Sequence, residues 1–232
     1  IAIWSPNCVE WTITQFAAFK AGIILVNLNP AYKSSELEYV LNKVSCKALV
    51  IAAEFKSSNY QEILTKIAPE IPHTVDKKLC AARLPHLKHV IKIDSEQHSG
   101  IHRFADLLIA PTATQLAELQ AIAADLQFDE TINIQFTSGT TGKPKGVPIY
   151  HQNLAAFLDM MLESGRYAFN RYDRFLQMFE LTFDLSVFSF LVPLSVGASF
   201  YPLPRKGIAY LEVADLLATR EITVTLMVPS VI

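Results

Sequence analysis

Residues 1–28 read IAIWSPNCVEWTITQFAAFKAGIILVNL, and their pattern decides the fold class. Residues 1–4 are a short apolar run, broken by Ser5-Pro6-Asn7. Proline suits a first helical turn, and Asn7 with Glu10 three residues on fits a capping box. Val9, Ile13, Phe16 and Ala17 then recur at helical spacing until Gly22, after which residues 23–28 read as a strand. Working outward, Ser35 with Glu38 opens a second helix carrying the stripe Leu37, Val40, Leu41 and Val44. Residues 48–51 are strand-like, and Tyr60, Ile63, Leu64 and Ile67 form another helical stripe. Strand and helix alternating at this spacing predict βαβ units, hence an α/β fold with mixed, mostly parallel sheets flanked by helices.

The rest of the chain continues the alternation less sharply. Pro69, Pro72, Pro85 and Pro111 mark irregular connections around one expected strand at residues 89–93. Residues 116–126 read as a helix, and Ile132, Ile134 and Phe136 alternate with Asn133 and Gln135 as a strand. Leu154, Phe157, Leu158, Met161 and Leu162 give an amphipathic helix. Strands are expected at 175–178, 198–201 and 224–228, with helices near 185–194 and 211–220 between them.

Composition narrows the function classes. The 232 residues are 51% apolar and 18% charged, against roughly 25% charged in a typical soluble domain. A disordered role is excluded, since it needs low hydrophobicity and high net charge. A net charge of −2 with no basic run argues against nucleic acid and anionic membrane surfaces. Cys8, Cys46 and Cys80 are odd in number and widely spaced, which fits neither a disulfide framework nor a metal pair and points to a reducing cytoplasm. No apolar stretch approaches the ~18 residues of a membrane span. The shortage of charge implies surface covered by a partner or by further chain.

One segment carries the chemistry: Thr137-Ser138-Gly139-Thr140-Thr141-Gly142-Lys143-Pro144-Lys145-Gly146. Glycines allow backbone N–H groups to approach an anion, hydroxyls donate to phosphate oxygens, and lysines supply point charges. Pro144 holds Lys143 extended. The order of residues fits neither a Walker A loop nor Gly-x-Gly-x-x-Gly. On composition the segment is either a polyphosphate-binding loop or an ordinary Gly/Thr-rich connection between strands.

The run from Thr137 to Val147 resembles the signature loop of the adenylate-forming superfamily, which includes acyl-CoA synthetases and amino-acid adenylation domains. Ile3 to Asn7 with Glu10, Lys20-Ala21-Gly22, Asn29-Pro30 and residues 35–41 are similar to the early part of an acyl-CoA synthetase. His151-Gln152-Asn153-Leu154 resembles the helix start that follows the loop. The resemblance implies a partial N-terminal AMP-binding domain over residues 1–232, with a subdomain division near 125–135 and the small C-terminal domain absent. It implies ATP-dependent activation of a small-molecule carboxylate to an acyl-adenylate, with Mg²⁺, then transfer to CoA or to the phosphopantetheine of a carrier protein. It also places Thr137, Ser138, Gly139, Thr140, Thr141, Gly142, Lys143, Lys145 and Gly146 on the ATP phosphates, with Lys145 as the catalytic residue. Isolated, such a piece is expected to be inactive, or to be a nucleotide-binding remnant.

Phe179-Glu180-Leu181-Thr182-Phe183-Asp184-Leu185-Ser186 is the second informative segment. Asp184 ahead of a helix reads as an N-cap. The phrase Phe183 to Ser186 is also similar to the segment of amino-acid-activating members whose aspartate pairs with the substrate ammonium. The first ~130 residues resemble a fatty or medium-chain acyl-CoA synthetase and the last ~90 an amino-acid-type adenylation domain, sizes that either could fill. A buried carboxylate needs a cation or good hydrogen bonds, which tilts the expectation to amino-acid-type activation through Asp184. Phe179 and Phe183 are candidates to line an acyl pocket. His86, His89, His98 and His102 have no metal-like spacing and read as solvent-facing, with no metal ligands assigned. Trp4, Trp11 and the stripe Phe183, Phe188 and Phe190 otherwise read as core, and His151 as a helix start.

Overall fold

A computed structural model describes residues 1–137, 142–203 and 209–227, in two units, Ile1–His151 and Gln152–Ile232. The first unit runs β1 (Ala2–Trp4), α1 (Val9–Lys20), β2 (Leu25–Leu28), α2 (Ser34–Lys43) and β3 (Ala48–Ala52). A small hairpin of β4 (Glu54–Phe55) and β5 (Ser58–Asn59) leads into α3 (Tyr60–Ile67). Then come β6 (His89–Ile93), β7 (His102–Arg103), α4 (Ala113–Asp125), β8 (Thr131–Thr137) and β9 (Lys145–Tyr150). Seven strands form one sheet in the order β7-β6-β3-β1-β2-β8-β9. Neighbours are parallel throughout except the antiparallel hairpin β8–β9. The α/β expectation holds.

From the central β1 the chain steps out to β2, then crosses back over β1 to β3. Right-handed crossovers in opposite directions put α1 and α2 on opposite faces. α4 packs beside α1, and α3 beside α2. On the α2–α3 face the expected stripes are realised: Leu37, Val40, Tyr60 and Leu64 are fully buried. Trp4 stacks on Tyr60 with ring centroids 3.8 Å apart. The Trp4 indole N–H donates to the Asn29 carbonyl at 3.1 Å, and the Tyr60 hydroxyl to the Pro30 carbonyl at 2.7 Å. Two core aromatics thus fix the turn that leaves β2.

The stripe expected on α1 faces the wrong way. Trp11, Thr14, Gln15 and Ala18 are the buried residues, while Val9 is 71% exposed and Ile13 and Phe16 also lie at the surface. The helix is apolar on more than one side, so periodicity alone does not choose a face. Trp11, fully buried, chooses it, because an indole hides far more apolar area than a valine. The N-cap is Cys8, which makes no side-chain capping bond, so the Asn7–Glu10 box does not form as expected. The stop at Gly22 does: Gly22 has φ +64° and the Ile23 N–H closes back on the Ala18 carbonyl at 2.9 Å. α2 begins one residue before Ser35, with the Lys33 N–H donating to Glu36 Oε2 at 3.1 Å. Glu38 pairs instead with Arg83.

In the second unit, α5 (His151–Leu162) is followed by β10 (Arg174–Gln177), α6 (Ser186–Ser195), β11 (Ser199–Pro202), α7 (Ala209–Thr219) and β12 (Val224–Thr225). The three strands are parallel in the order β11-β10-β12. Phe175, Leu176, Phe190, Val213 and Leu216 are buried. Phe190 thus takes its expected place in the core.

Candidate active site

β8 delivers its loop to the carboxyl edge of the large parallel sheet, where open α/β sheets bind ligands. Asn133 and Phe136 point into the unit and Thr137 ends the strand exposed. Leu25 pairs with Asn133 and Asn27 with Gln135; continuing that register sets Thr137 level with Asn29. Lys145, the first residue of β9, pairs back with Thr137, and both are exposed. Gly142 has φ +84° and a Cβ there would meet nothing within 4 Å, so the backbone lies open to a ligand. A Cβ on Gly146 would come within 3.1 Å of the Phe136 ring and of Ile134, so glycine lets the hairpin close on β8. The Lys143 ammonium lies 5.7 Å from the Tyr39 ring centroid, a cation–π contact on α2 that the sequence did not signal. Ser138, Gly139, Thr140 and Thr141 lie outside the described residues. An exposed hydroxyl, an exposed ammonium and an open glycine backbone are the donor set a polyphosphate requires.

The segment expected to meet the substrate lies in the second unit. Phe179 is 9% exposed and Phe183 50%, with centroids 6.1 Å apart. Phe183 is therefore not a core residue. Asp184 is exposed, and its Oδ1 accepts from the Leu185 N–H at 2.9 Å. It is neither a buried carboxylate nor the helix N-cap, a place held by Leu185; the argument from burial for an ammonium partner falls. Sequence reasoning missed Gln177, which is almost fully buried. Its Oε1 accepts from the Ser189 hydroxyl at 2.7 Å and the Phe179 N–H at 3.2 Å. A polar residue ending the apolar run Phe175-Leu176 was the available signal.

Three histidines do not face solvent freely as expected. His89 Nδ1 lies 3.3 Å from His102 Nε2. His98 Nε2 lies 2.9 Å from both Asp94 Oδ2 and Lys92 Nζ, and Lys92 donates to Gln61 Oε1 at 2.8 Å. Lys92, His98 and Gln61 line one side of a cavity of ≈ 700 Å³. Burial would raise the Asp94 pKa, but hydrogen bonds from Lys92 and His98, with their charges, outweigh it and hold the carboxyl below its usual value. A depressed carboxylate stabilises the fold above its unfolded value, ~3.9, and that contribution is lost as pH falls through the lower folded value. Asp94→Asn is therefore expected to lower the urea midpoint at pH 7, with the gap from wild type closing below the ordinary aspartate range. A gap constant with pH would refute the assignment.

Among the described residues no helix is long and apolar enough to cross a membrane. The sequence model of the AMP-binding enzymes matches residues 1–232. The chain is 44% identical over 154 residues to the medium-chain acyl-CoA ligase ACSF2, mitochondrial, of Danio rerio, covering 66% of this chain and 25% of that protein. The putative acyl-CoA synthetase YngI of Bacillus subtilis is 38% identical over 155 residues, 66% of this chain and 28% of its own length. The chain thus spans about a quarter of these relatives. Among solved structures, a putative long-chain-fatty-acid CoA ligase from Rhodopseudomonas palustris superposes with TM-score 0.71 at 20% identity, over 98% of this chain and 50% of that one. The Vibrio cholerae adenylation domain AlmE, solved with glycyl-adenosine-5′-phosphate, gives TM-score 0.71 at 24% identity, over 99% of this chain and 40% of its own. At such identities the likeness shows the fold. With its whole length matched by the family's sequence model, a seven-stranded, mainly parallel sheet and the hairpin that carries the loop, this chain belongs to the AMP-binding enzymes.

Proposed function

We propose that the protein containing this chain activates a medium-chain carboxylate with ATP and passes the acyl group to CoA. The observation that carries this reading is the 44% identity to a medium-chain acyl-CoA ligase over two-thirds of the chain. When bound, ATP, accompanied by Mg²⁺, supplies the α-phosphoryl group to which a carboxylate oxygen bonds as pyrophosphate leaves. The CoA thiol sulfur then bonds to the acyl carbon as AMP leaves. This chain's own part is to hold charge and geometry. Thr137 would donate its hydroxyl and Lys145 its positive charge to phosphate oxygens, with the open backbone at Gly142 between them. The glycine and hydroxyl residues 138–141 would complete the cradle. Lys143 is kept for Tyr39 and contributes less. Half-exposed Phe183, beside Phe179, offers an apolar wall to an acyl chain.

Amino-acid activation, with a carrier-protein thiol as acceptor, is the second reading. The exposed Asp184 carboxylate in the Phe183–Ser186 phrase is the observation in its favour. The two readings separate in one experiment on the full-length enzyme: ATP–pyrophosphate exchange with octanoate against a panel of amino acids, in wild type and Asp184→Ala. We expect exchange with octanoate, unchanged within about threefold by Asp184→Ala, a shift of under ~1 kcal/mol in barrier. Exchange with an amino acid alone, abolished by Asp184→Ala, would replace the first reading with the second.

A further inference from the structure

Gln177 is the last residue of β10, the central strand of the three-stranded sheet, and stands where the chain leaves that sheet for α6. It follows the fully buried pair Phe175-Leu176 and is itself only 1% exposed. An amide this deep must replace its lost water with hydrogen bonds. One atom makes two of them: Oε1 accepts the Phe179 N–H at 3.2 Å and the Ser189 hydroxyl at 2.7 Å. A backbone N–H can only donate, so Phe179 fixes which end of the amide faces it. Nε2 is buried as well and reaches no partner among the described residues. Packing alone would be served by methionine, of similar volume and with no idle donor; the acceptor oxygen is what this position uses.

We propose that Gln177 is a positioning residue for acyl-chain selection, pinning the turn that carries Phe179 and Phe183 to α6, an inference that rests on reading those two rings as a wall for the acyl chain. Ser189, 1% exposed, ties Oε1 to the first turn of α6, while the Phe179 N–H ties the same oxygen to the start of the turn. The strand end is anchored separately, since the Gln177 carbonyl accepts the Leu203 N–H at 2.8 Å. Beyond Phe179 the backbone has little slack. The Phe183 N–H closes on the Glu180 carbonyl at 2.9 Å, and the Ser186 N–H on the Phe183 carbonyl at 3.0 Å. The buried Phe179 ring backs the half-exposed Phe183 ring, with centroids 6.1 Å apart. Releasing the Phe179 N–H therefore frees both rings, and the depth of an apolar wall sets which chain length fits.

The test is steady-state kinetics of the full-length enzyme with butyrate, octanoate, palmitate and a panel of amino acids. Wild type is expected to prefer octanoate. Gln177→Met should reduce the kcat/KM preference for octanoate over palmitate about tenfold, the lower end of what one pocket contact discriminates. The change should fall on the KM for the fatty acid, with kcat and the KM for ATP within about twofold of wild type. Ser189→Ala, which keeps the Phe179 bond, should move the preference the same way by about threefold. The double variant Gln177→Met/Ser189→Ala no longer orphans a buried hydroxyl, so it should melt above Gln177→Met while its preference stays relaxed. A merely structural role would restore both together.

An unchanged preference in Gln177→Met, or one that recovers with the melting temperature in the double variant, overturns the inference; octanoate activation by wild type then leaves the acyl-CoA reading standing. Wild-type activation of amino acids alone overturns that reading and this inference with it. Should Gln177→Met not fold, Ser189→Ala decides, and an unchanged preference there overturns the role of Gln177.

Discussion

Replacing Trp4 with alanine is expected to destabilise the first unit by about 3–5 kcal/mol, the range for removing a large buried aromatic. That is a fifth or more of the ~5–15 kcal/mol that holds a typical domain together. Three features of Trp4 combine to place it at the upper end. It is completely buried in the central strand of the sheet. Its ring stacks on Tyr60 at 3.8 Å, a pairing worth about 0.5–1.5 kcal/mol beyond area burial. Its N–H is a second donor to the Asn29 carbonyl, beside the Tyr32 N–H. Trp4→Phe separates these effects, since it keeps most of the packing and removes only that hydrogen bond, at about 0.5–1.5 kcal/mol. Urea unfolding of Trp4→Ala, Tyr60→Ala and the double variant measures the stack directly. Additivity within about 0.3 kcal/mol would show that the two rings do not act as a unit. Because Asn29 is level with Thr137 at the sheet edge, Trp4 supports the same rim that carries the loop.

The fold was legible where one physical signal dominated. The stripes of α2 and α3 put every large apolar residue on one face, and Leu37, Val40, Tyr60 and Leu64 are buried as read. At α1 two apolar faces competed, and spacing alone could not say that Trp11 outweighs Val9 and Phe16. Capping was misread for a related reason. A Ser or Asn followed three residues later by Glu is compatible with several starts, and at α2 the tertiary pairing of Glu38 with Arg83 took the glutamate that the box required. The loop stands out in the sequence because glycines, hydroxyls and lysines are concentrated in ten positions, a density that packing does not demand. Long-range polar contacts were not legible. Nothing in the sequence ties Lys143 to Tyr39, Gln177 to Ser189, or His89 to His102; each pair is brought together only by the crossing of strands and helices. Asp184 shows the reverse error, where a familiar phrase suggested burial and the turn before α6 leaves the carboxylate in solvent.

Lys145→Ala in the full-length enzyme is expected to lower the rate of adenylation about 10²–10³-fold, or about 2.7–4 kcal/mol, the usual cost of losing one preorganised group on developing charge. The side chain is exposed at the first residue of β9, and alanine keeps the backbone pairing with Thr137, so the hairpin should survive. Unchanged thermal unfolding of the variant would establish that the loss is chemical. The effect should fall on kcat more than on the KM for ATP, because charge on the bridging and departing oxygens grows as pyrophosphate leaves. Lys143→Ala is the internal comparison. That ammonium lies over Tyr39 in the resting hairpin, a contact worth about 0.5–1 kcal/mol at an exposed site, so its loss should cost no more than about fivefold. Lys145→Arg should recover part of the rate, since charge is restored but a planar fork replaces a point donor. Pre-steady-state measurement of pyrophosphate release decides among these. A Lys145→Ala rate within threefold of wild type, or a Lys143→Ala loss as large as that of Lys145→Ala, would mean that the loop binds phosphate through its backbone and hydroxyls, and that Lys145 is not catalytic.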